Sequence, residues 1–231
     1  MTTGTASLKS PPRESRGYDL AMRLPLLAWS TVCTLSSARG LVRYMHEADP
    51  GLSHAAYAVN IAMRVSAIAF LVLLAATVVL RTRPTGKARG FEPRVSALAG
   101  TFIVYAFALF PRRELPLAGE IAATCLTLIG SAASVFVLSQ LGRSFSIMAE
   151  ARRLVTTGVY GFVRHPLYLA EELATIGIFI QFASPGTTLL LAAQIAFQLR
   201  RMHNEEAVLG ETFPEYAAYR EKTARLLPGI Y

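Results

Sequence analysis

Apolar stretches of membrane-spanning size, separated by short polar segments, set the pattern of this chain. The first runs from about Leu24 to Val42 and is the weakest, because it carries Pro25, several Ser and Thr, and Arg39 near its end. The second, about Ala55 to Leu80, holds one charge, Arg64. The third, about Val95 to Phe110, is short, and the fourth runs from about Leu117 to Leu141. A fifth, about Leu167 to Ala183, and a sixth, about Thr187 to Leu199, are separated by Ser184-Pro185-Gly186. Pro-Gly marks a turn, so this pair predicts a helical hairpin. The sixth stretch is long enough to span only if Arg200 and Arg201 snorkel at its end. A bilayer core takes roughly 20 apolar residues per helix. The pattern therefore predicts an all-α, polytopic membrane helix bundle of about six spans with a C-terminal helical hairpin. Three regions follow: a polar tail over 1–19, expected to be flexible and cytosolic; a four-span membrane region over 20–141; and 142–231, where polar segments flank the hairpin.

Composition and charge sharpen this. Of 231 residues, 53% are hydrophobic and 16% charged, against about 25% charged in an average soluble domain. An ordinary soluble domain is disfavoured, and disorder is excluded by the apolar content. Cys33 and Cys125 both lie in apolar stretches, which excludes a disulfide scaffold. No apolar core follows the basic N-terminal residues closely enough for a cleavable signal. The net charge is +8, from 23 Lys and Arg against 15 Asp and Glu. In a membrane protein that excess belongs to cytoplasmic loops, and no nucleic-acid partner is expected. The tail to Arg23, 81–94, 142–166 and 200–231 hold four, five, four and five basic residues. The opposite side holds four: Arg39, Arg43, Arg112 and Arg113. With six spans this orients the chain as an integral, multi-pass membrane protein with both termini cytosolic and membrane lipids around it.

The two polar segments flanking the hairpin are where chemistry is expected. Arg164 and His165 precede Pro166, which suits a first helical turn. A helix N-terminus with Arg and His beside it is a place for an anion such as a carboxylate or phosphate. The same two residues also suit interfacial anchors, and Tyr160 and Tyr168 also suit an aromatic belt. Glu171 and Glu172 either complement the helix dipole or act as functional groups at membrane depth. Beyond the sixth stretch come Arg201, His203, Glu205 and Glu206, then Phe213, Pro214, Tyr216 and Tyr219. Leu209, Phe213, Tyr216 and Tyr219 would also suit an amphipathic helix facing the membrane. His203 has no Cys or His at ligand spacing, so no metal is expected. Ser139 to Ser146 contains Gly142, a helix-stop signal.

Together these pieces resemble the isoprenylcysteine carboxyl methyltransferase and phospholipid methyltransferase superfamily of integral membrane enzymes. The resemblance rests on Leu141-Gly142-Arg143-Ser144-Phe145, on Leu154 to Tyr160 leading into Arg164-His165-Pro166-Leu167-Tyr168, and on Arg201 with Glu205-Glu206. Phe213, Tyr216, Tyr219 and the ending Leu227-Pro228-Gly229-Ile230-Tyr231 complete it. It covers about residues 139–231, roughly 40% of the chain. Pro214 departs from it, standing where the family commonly has Gly. The resemblance implies S-adenosylmethionine as methyl donor, held by Tyr160, Arg164, His165, Pro166, Tyr168, Glu205 and Glu206. It implies a lipophilic or prenylated acceptor, with Arg201, Arg143 and Glu205 at the reacting end. The acceptor expected first is an isoprenylcysteine-type carboxylate. The alternatives are N- or S-methylation of a phospholipid or small amphiphile, and a non-catalytic membrane protein that retains the fold.

Overall fold

A computed structural model describes residues 16–47, 53–229 and 231, with side chains from Arg23 onward. Of the tail expected over 1–19, residues 1–15 lie outside the described residues, and Arg16 already opens the first helix. The helices are α1 (Arg16–His46), α2 (His54–Leu80), α3 (Glu92–Phe102), α4 (Leu117–Leu141), α5 (Pro166–Phe182), α6 (Pro185–Thr212) and α7 (Tyr216–Lys222). Among the described residues the architecture is all-helical apart from two short strands, β1 (Gly86–Lys87) and β2 (Glu150–Ala151). Among the described residues, His54–Leu80 and Leu117–Ser144 are long and apolar enough to cross a membrane.

The third apolar stretch is shortest as an α-helix because it changes winding. After α3 the chain continues as a 3-10 helix over Ile103–Leu109, whose larger rise per residue lengthens it. The sixth stretch differs more from expectation. Hydropathy ends it near Leu199, but α6 runs unbroken to Thr212. Its later polar residues find partners inside the protein. Arg201, Asn204 and Glu206 are all buried. Arg201 does not snorkel, whereas Arg200 is exposed and pairs with Glu92 of α3 at 2.8 Å.

The Ser184-Pro185-Gly186 turn behaves as its residues dictate. Ser184 caps α6, accepting from the Thr187 amide, while the Thr187 hydroxyl accepts from the Ser184 amide. Beyond this turn the two helices part: α5 lies along α4, and α6 along α3. Small residues make the α4–α5 contact close. A Cβ on Gly130 would fall 2.3 Å from the Ala174 nitrogen, and one on Gly177 would fall 2.6 Å from the Ala123 carbonyl oxygen. The divergence of α5 from α6 leaves room inside the bundle.

The basic loop 81–94 is tied to the segment after α4. β1 pairs antiparallel with β2, matching Gly86 to Ala151 and Lys87 to Glu150. A parallel bridge between Val163 and Ala224 joins the approach to α5 to the C-terminal segment. These two ties fold the polar segments against the ends of α4, α5 and α6.

Candidate active site

Gly142 ends α4 with a positive φ of 51°, as its helix-stop signal predicts. The chain then crosses to a short 3-10 turn at Gly158–Gly161. Gly158 has φ 63° and lies against Gln140, whose Oε1 accepts from the Val159 amide at 3.1 Å. Only a residue without a Cβ fits this close approach. Tyr160 is thereby buried beside the start of α5, and Pro166 occupies the first helical turn.

A cleft of about 100 Å³, open on one side, lies where α5 begins and the later part of α6 passes. Tyr160, Arg164, His165, Tyr168, Arg201 and Glu205 all line it. Six residues expected on separate sequence segments thus meet in one place. Glu206 is not among the lining residues. Successive residues on an α-helix point about 100° apart, and that rotation separates the two glutamates.

Glu205 faces the cleft. It accepts a hydrogen bond from the Tyr168 hydroxyl and one from Arg201 Nε at 3.2 Å. Arg201 lies over the Tyr168 ring, 4.7 Å from its centroid. It also donates to Thr101 at 3.0 Å. Tyr168 stacks on His165 with centroids 5.3 Å apart.

Glu206 is turned out of the cleft lining and gathers three basic side chains. It accepts from Arg164 Nε at 2.9 Å, His165 Nε2 at 3.1 Å and Arg225 Nη2 at 2.6 Å. Burial alone would raise its pKa, but the bonds from His165, Arg225 and Arg164 outweigh that and hold it well below the usual carboxylate range. Arg164 also donates to the carbonyl oxygens of Arg220 and Thr223. The helix-start arginine and histidine are therefore fixed from behind by Glu206 and the C-terminal segment.

Further residues complete the cleft, two of them, Glu150 and Arg152, beyond the resemblance. Glu150 and Arg152 line it and pair at 2.5 Å. Nothing in the sequence marked them, because the β1–β2 pairing brings them in. Tyr216 and Tyr219 also line it, and Tyr219 donates to the Tyr160 carbonyl at 2.7 Å. Burial pushes the Tyr219 phenol up to about 12. With Leu209, these residues close the cleft and do not form a membrane-facing stripe. Arg143 stands apart: its Nε donates to the Leu80 carbonyl at 2.9 Å, which ties α2 to the end of α4. Among the described residues no group of three or more His, Cys, Asp or Glu gathers as a metal would need.

Fold and site define a helical-bundle protein with membrane-length helices and a charged, aromatic cleft where α5 begins and α6 passes. Residues 122–211 match the isoprenylcysteine carboxyl methyltransferase family, which bears out the resemblance read from the sequence. The chain is 34% identical over 98 residues to the protein-S-isoprenylcysteine O-methyltransferase of Schizosaccharomyces pombe, covering 39% of this chain and 42% of that protein. It is 34% identical over 78 residues to the cobalt-zinc-cadmium resistance protein CzcN of Cupriavidus metallidurans, covering 33% and 36%. It is 30% identical over 82 residues to the nickel-cobalt-cadmium resistance protein NccN of Alcaligenes xylosoxydans xylosoxydans, covering 35% and 38%. Each match thus spans less than half of the relative's own length.

Proposed function

We propose that this protein transfers a methyl group from S-adenosylmethionine to a lipophilic acceptor at the membrane–cytosol interface. We read it as a multi-pass membrane enzyme of about six spans with both termini in the cytosol. One observation carries the reading: Arg164, His165, Tyr168 and Glu205 converge on one cleft beside apolar helices. The donor has a carboxylate, an ammonium, ribose hydroxyls and a flat base. Arg164, His165 and the α5 N-terminus suit the carboxylate. Glu205 suits the ammonium or the ribose hydroxyls, and Tyr160, Tyr216 and Tyr219 offer aromatic surface for the base. When bound, this donor supplies an electrophilic methyl group on a sulfonium.

The chain's own contribution is positioning and exclusion of water. Glu206 and the carbonyls of Arg220 and Thr223 lock Arg164. Glu205, Tyr168 and Arg201 form a second fixed group. The resemblance and the S. pombe relative favour an isoprenylcysteine-type carboxylate as acceptor, held by Arg201 and Arg143. Arg201, however, already meets Glu205, Thr101 and the Tyr168 ring, and Arg143 lies on Leu80.

Calorimetry of S-adenosylmethionine with detergent-purified protein tests the donor reading. Arg164→Ala should weaken binding about tenfold to hundredfold, the loss of a charge-assisted bond of roughly 1.5–3 kcal/mol. No binding to the folded wild-type protein would sink the methyl-transfer assignment.

A further inference from the structure

Ser146, Glu150, Arg152 and Arg153, from the segment between α4 and α5, line the cleft together with the groups of α5 and α6. Glu150 is the carboxylate of this segment. Both of its hydrogen bonds fall on one oxygen: Oε2 accepts from Ser146 Oγ at 2.7 Å and from Arg152 Nη2 at 2.5 Å. Among the described residues Oε1 receives no hydrogen bond, and it is not sealed from solvent, the side chain being 18% exposed. A carboxylate held through one oxygen keeps the other as a fixed, open acceptor.

The surroundings decide what that oxygen can take. Arg152 pairs with Glu150, Lys87 stands directly across from it in the β1–β2 pairing, and Arg153 is exposed at the edge of the cleft. Glu150 and Met148 also border a neighbouring cavity, whose wall adds Arg81 and Arg94. A ligand ammonium would meet like charge from these cations, and a ligand carboxylate would meet Glu150 itself. A neutral hydroxyl can give its hydrogen to Oε1 with neither cost, in a charge-assisted bond.

The donor's own shape locates this group. Its ammonium and carboxylate share one carbon, so their partners must lie side by side. Glu205 meets that condition: it is bonded to Tyr168, whose ring stacks on His165. Glu150 stands further along, separated from Glu205 by the Arg201 guanidinium. That guanidinium meets Glu205 through Nε and the Ser146 carbonyl through Nη2 at 3.5 Å. We propose that Glu150 is a further donor-binding and specificity residue: its Oε1 accepts from the ribose hydroxyls of S-adenosylmethionine, which leaves Glu205 to the ammonium. A carboxylate reads ribose hydroxyls in the same way in dinucleotide sites of unrelated fold. The assignment rests on S-adenosylmethionine being the donor.

Calorimetry of S-adenosylmethionine and of its 2′,3′-dideoxy analogue with detergent-purified protein tests it. Wild type should bind the ribose form roughly tenfold or more tightly, since the hydroxyls carry a hydrogen bond to a charged group. In Glu150→Ala that preference should fall to about twofold or less, with affinity for the dideoxy analogue nearly unchanged. A merely structural loss at this position would weaken both ligands alike, so the preference is the readout. Glu150→Gln, which keeps the size but not the charge, should lower the preference about threefold or more and serves where Glu150→Ala does not fold. Glu205→Gln should weaken both ligands alike and keep the preference. If neither Glu150 variant folds, the wild-type preference and its survival in Glu205→Gln decide. No preference in wild type, a preference that survives in a folded Glu150 variant, or one that vanishes in Glu205→Gln overturns the assignment while the donor reading stands. No binding of either ligand to the folded wild-type protein overturns both.

Discussion

Replacing Glu206 by Gln should destabilise the C-terminal segment, whereas the same change at its neighbour Glu205 should mainly weaken donor binding. Glu206 is 7% exposed and accepts from Arg164, His165 and twice from Arg225. Glutamine keeps one carbonyl acceptor but turns the other oxygen into a donor. That amide then faces either Arg164 and His165 or the short 2.6 Å contact with Arg225. Removing one partner from a buried charged network costs about 3–5 kcal/mol, and the retained carbonyl places the expected loss near the lower end, about 3 kcal/mol. Hydrogen exchange at amides 216–225 should then rise roughly a hundredfold. Because the folded carboxyl titrates well below its unfolded value of about 4.3, its stabilisation is present above that pH. It is lost progressively as pH falls further. Wild-type stability should therefore decline below about pH 4.3 with a component that Glu206→Gln lacks. Glu205→Gln should leave exchange at 216–225 near wild type and lower donor affinity in calorimetry. Identical exchange and identical acid profiles in wild type and Glu206→Gln would refute the clamp.

Gly158→Ala should lower stability by roughly 1–2 kcal/mol from its left-handed backbone alone, and more because the new Cβ would displace the Gln140 side chain from Val159; adding Gln140→Ala should then cost little extra, and additive losses in thermal unfolding would contradict the contact. Gly130→Val should destabilise by at least about 1–3 kcal/mol, since backbone of α5 occupies the space its side chain needs; an unchanged melting temperature in detergent would show that α4 and α5 are not in close contact. Reporter fusions after Arg94 and Arg225 should both read as cytosolic and one after Arg113 as the opposite side, given the distribution of basic residues; a cytosolic reading at Arg113 would remove the six-span arrangement.

The chemistry of the cleft was legible in the sequence where residues act locally. Arg164, His165 and Pro166 sit at a helix start because proline suits the first helical turn, and Gly142 stops α4. The turn between α5 and α6 followed from Ser184-Pro185-Gly186. Other features depended on partners distant in sequence. Hydropathy could not carry α6 past Leu199, because Arg201 and Glu206 count as polar until Tyr168, Thr101 and Arg225 are found around them. Glu150 and Arg152 carry no local signal, since a two-residue strand pairing delivers them. Adjacent Glu205 and Glu206 read as one acidic pair, and only the rotation of the helix assigned one to the cleft and the other to the clamp.

That rotation also orders what lies along α6. Gln194, Gln198, Arg201 and Glu205 follow one another at spacings of four, three and four residues, which keeps them on one face of the helix. The first two border a cavity of about 390 Å³ between the helices, Arg201 borders both that cavity and the cleft, and Glu205 borders the cleft. A continuous helix of 28 residues therefore carries the groups that border the cavity and those that border the cleft on one rigid rod. Methyl transfer demands that nucleophile, methyl carbon and leaving sulfur lie in line, so the distance and angle between the two sites matter more than any single proton transfer. A helix supplies such alignment without a moving part. α5 approaches α4 instead of α6, which leaves room for the cavity beside the cleft. Arg201, held by Glu205, Thr101 and the face of Tyr168, is the residue whose position sets the boundary between them.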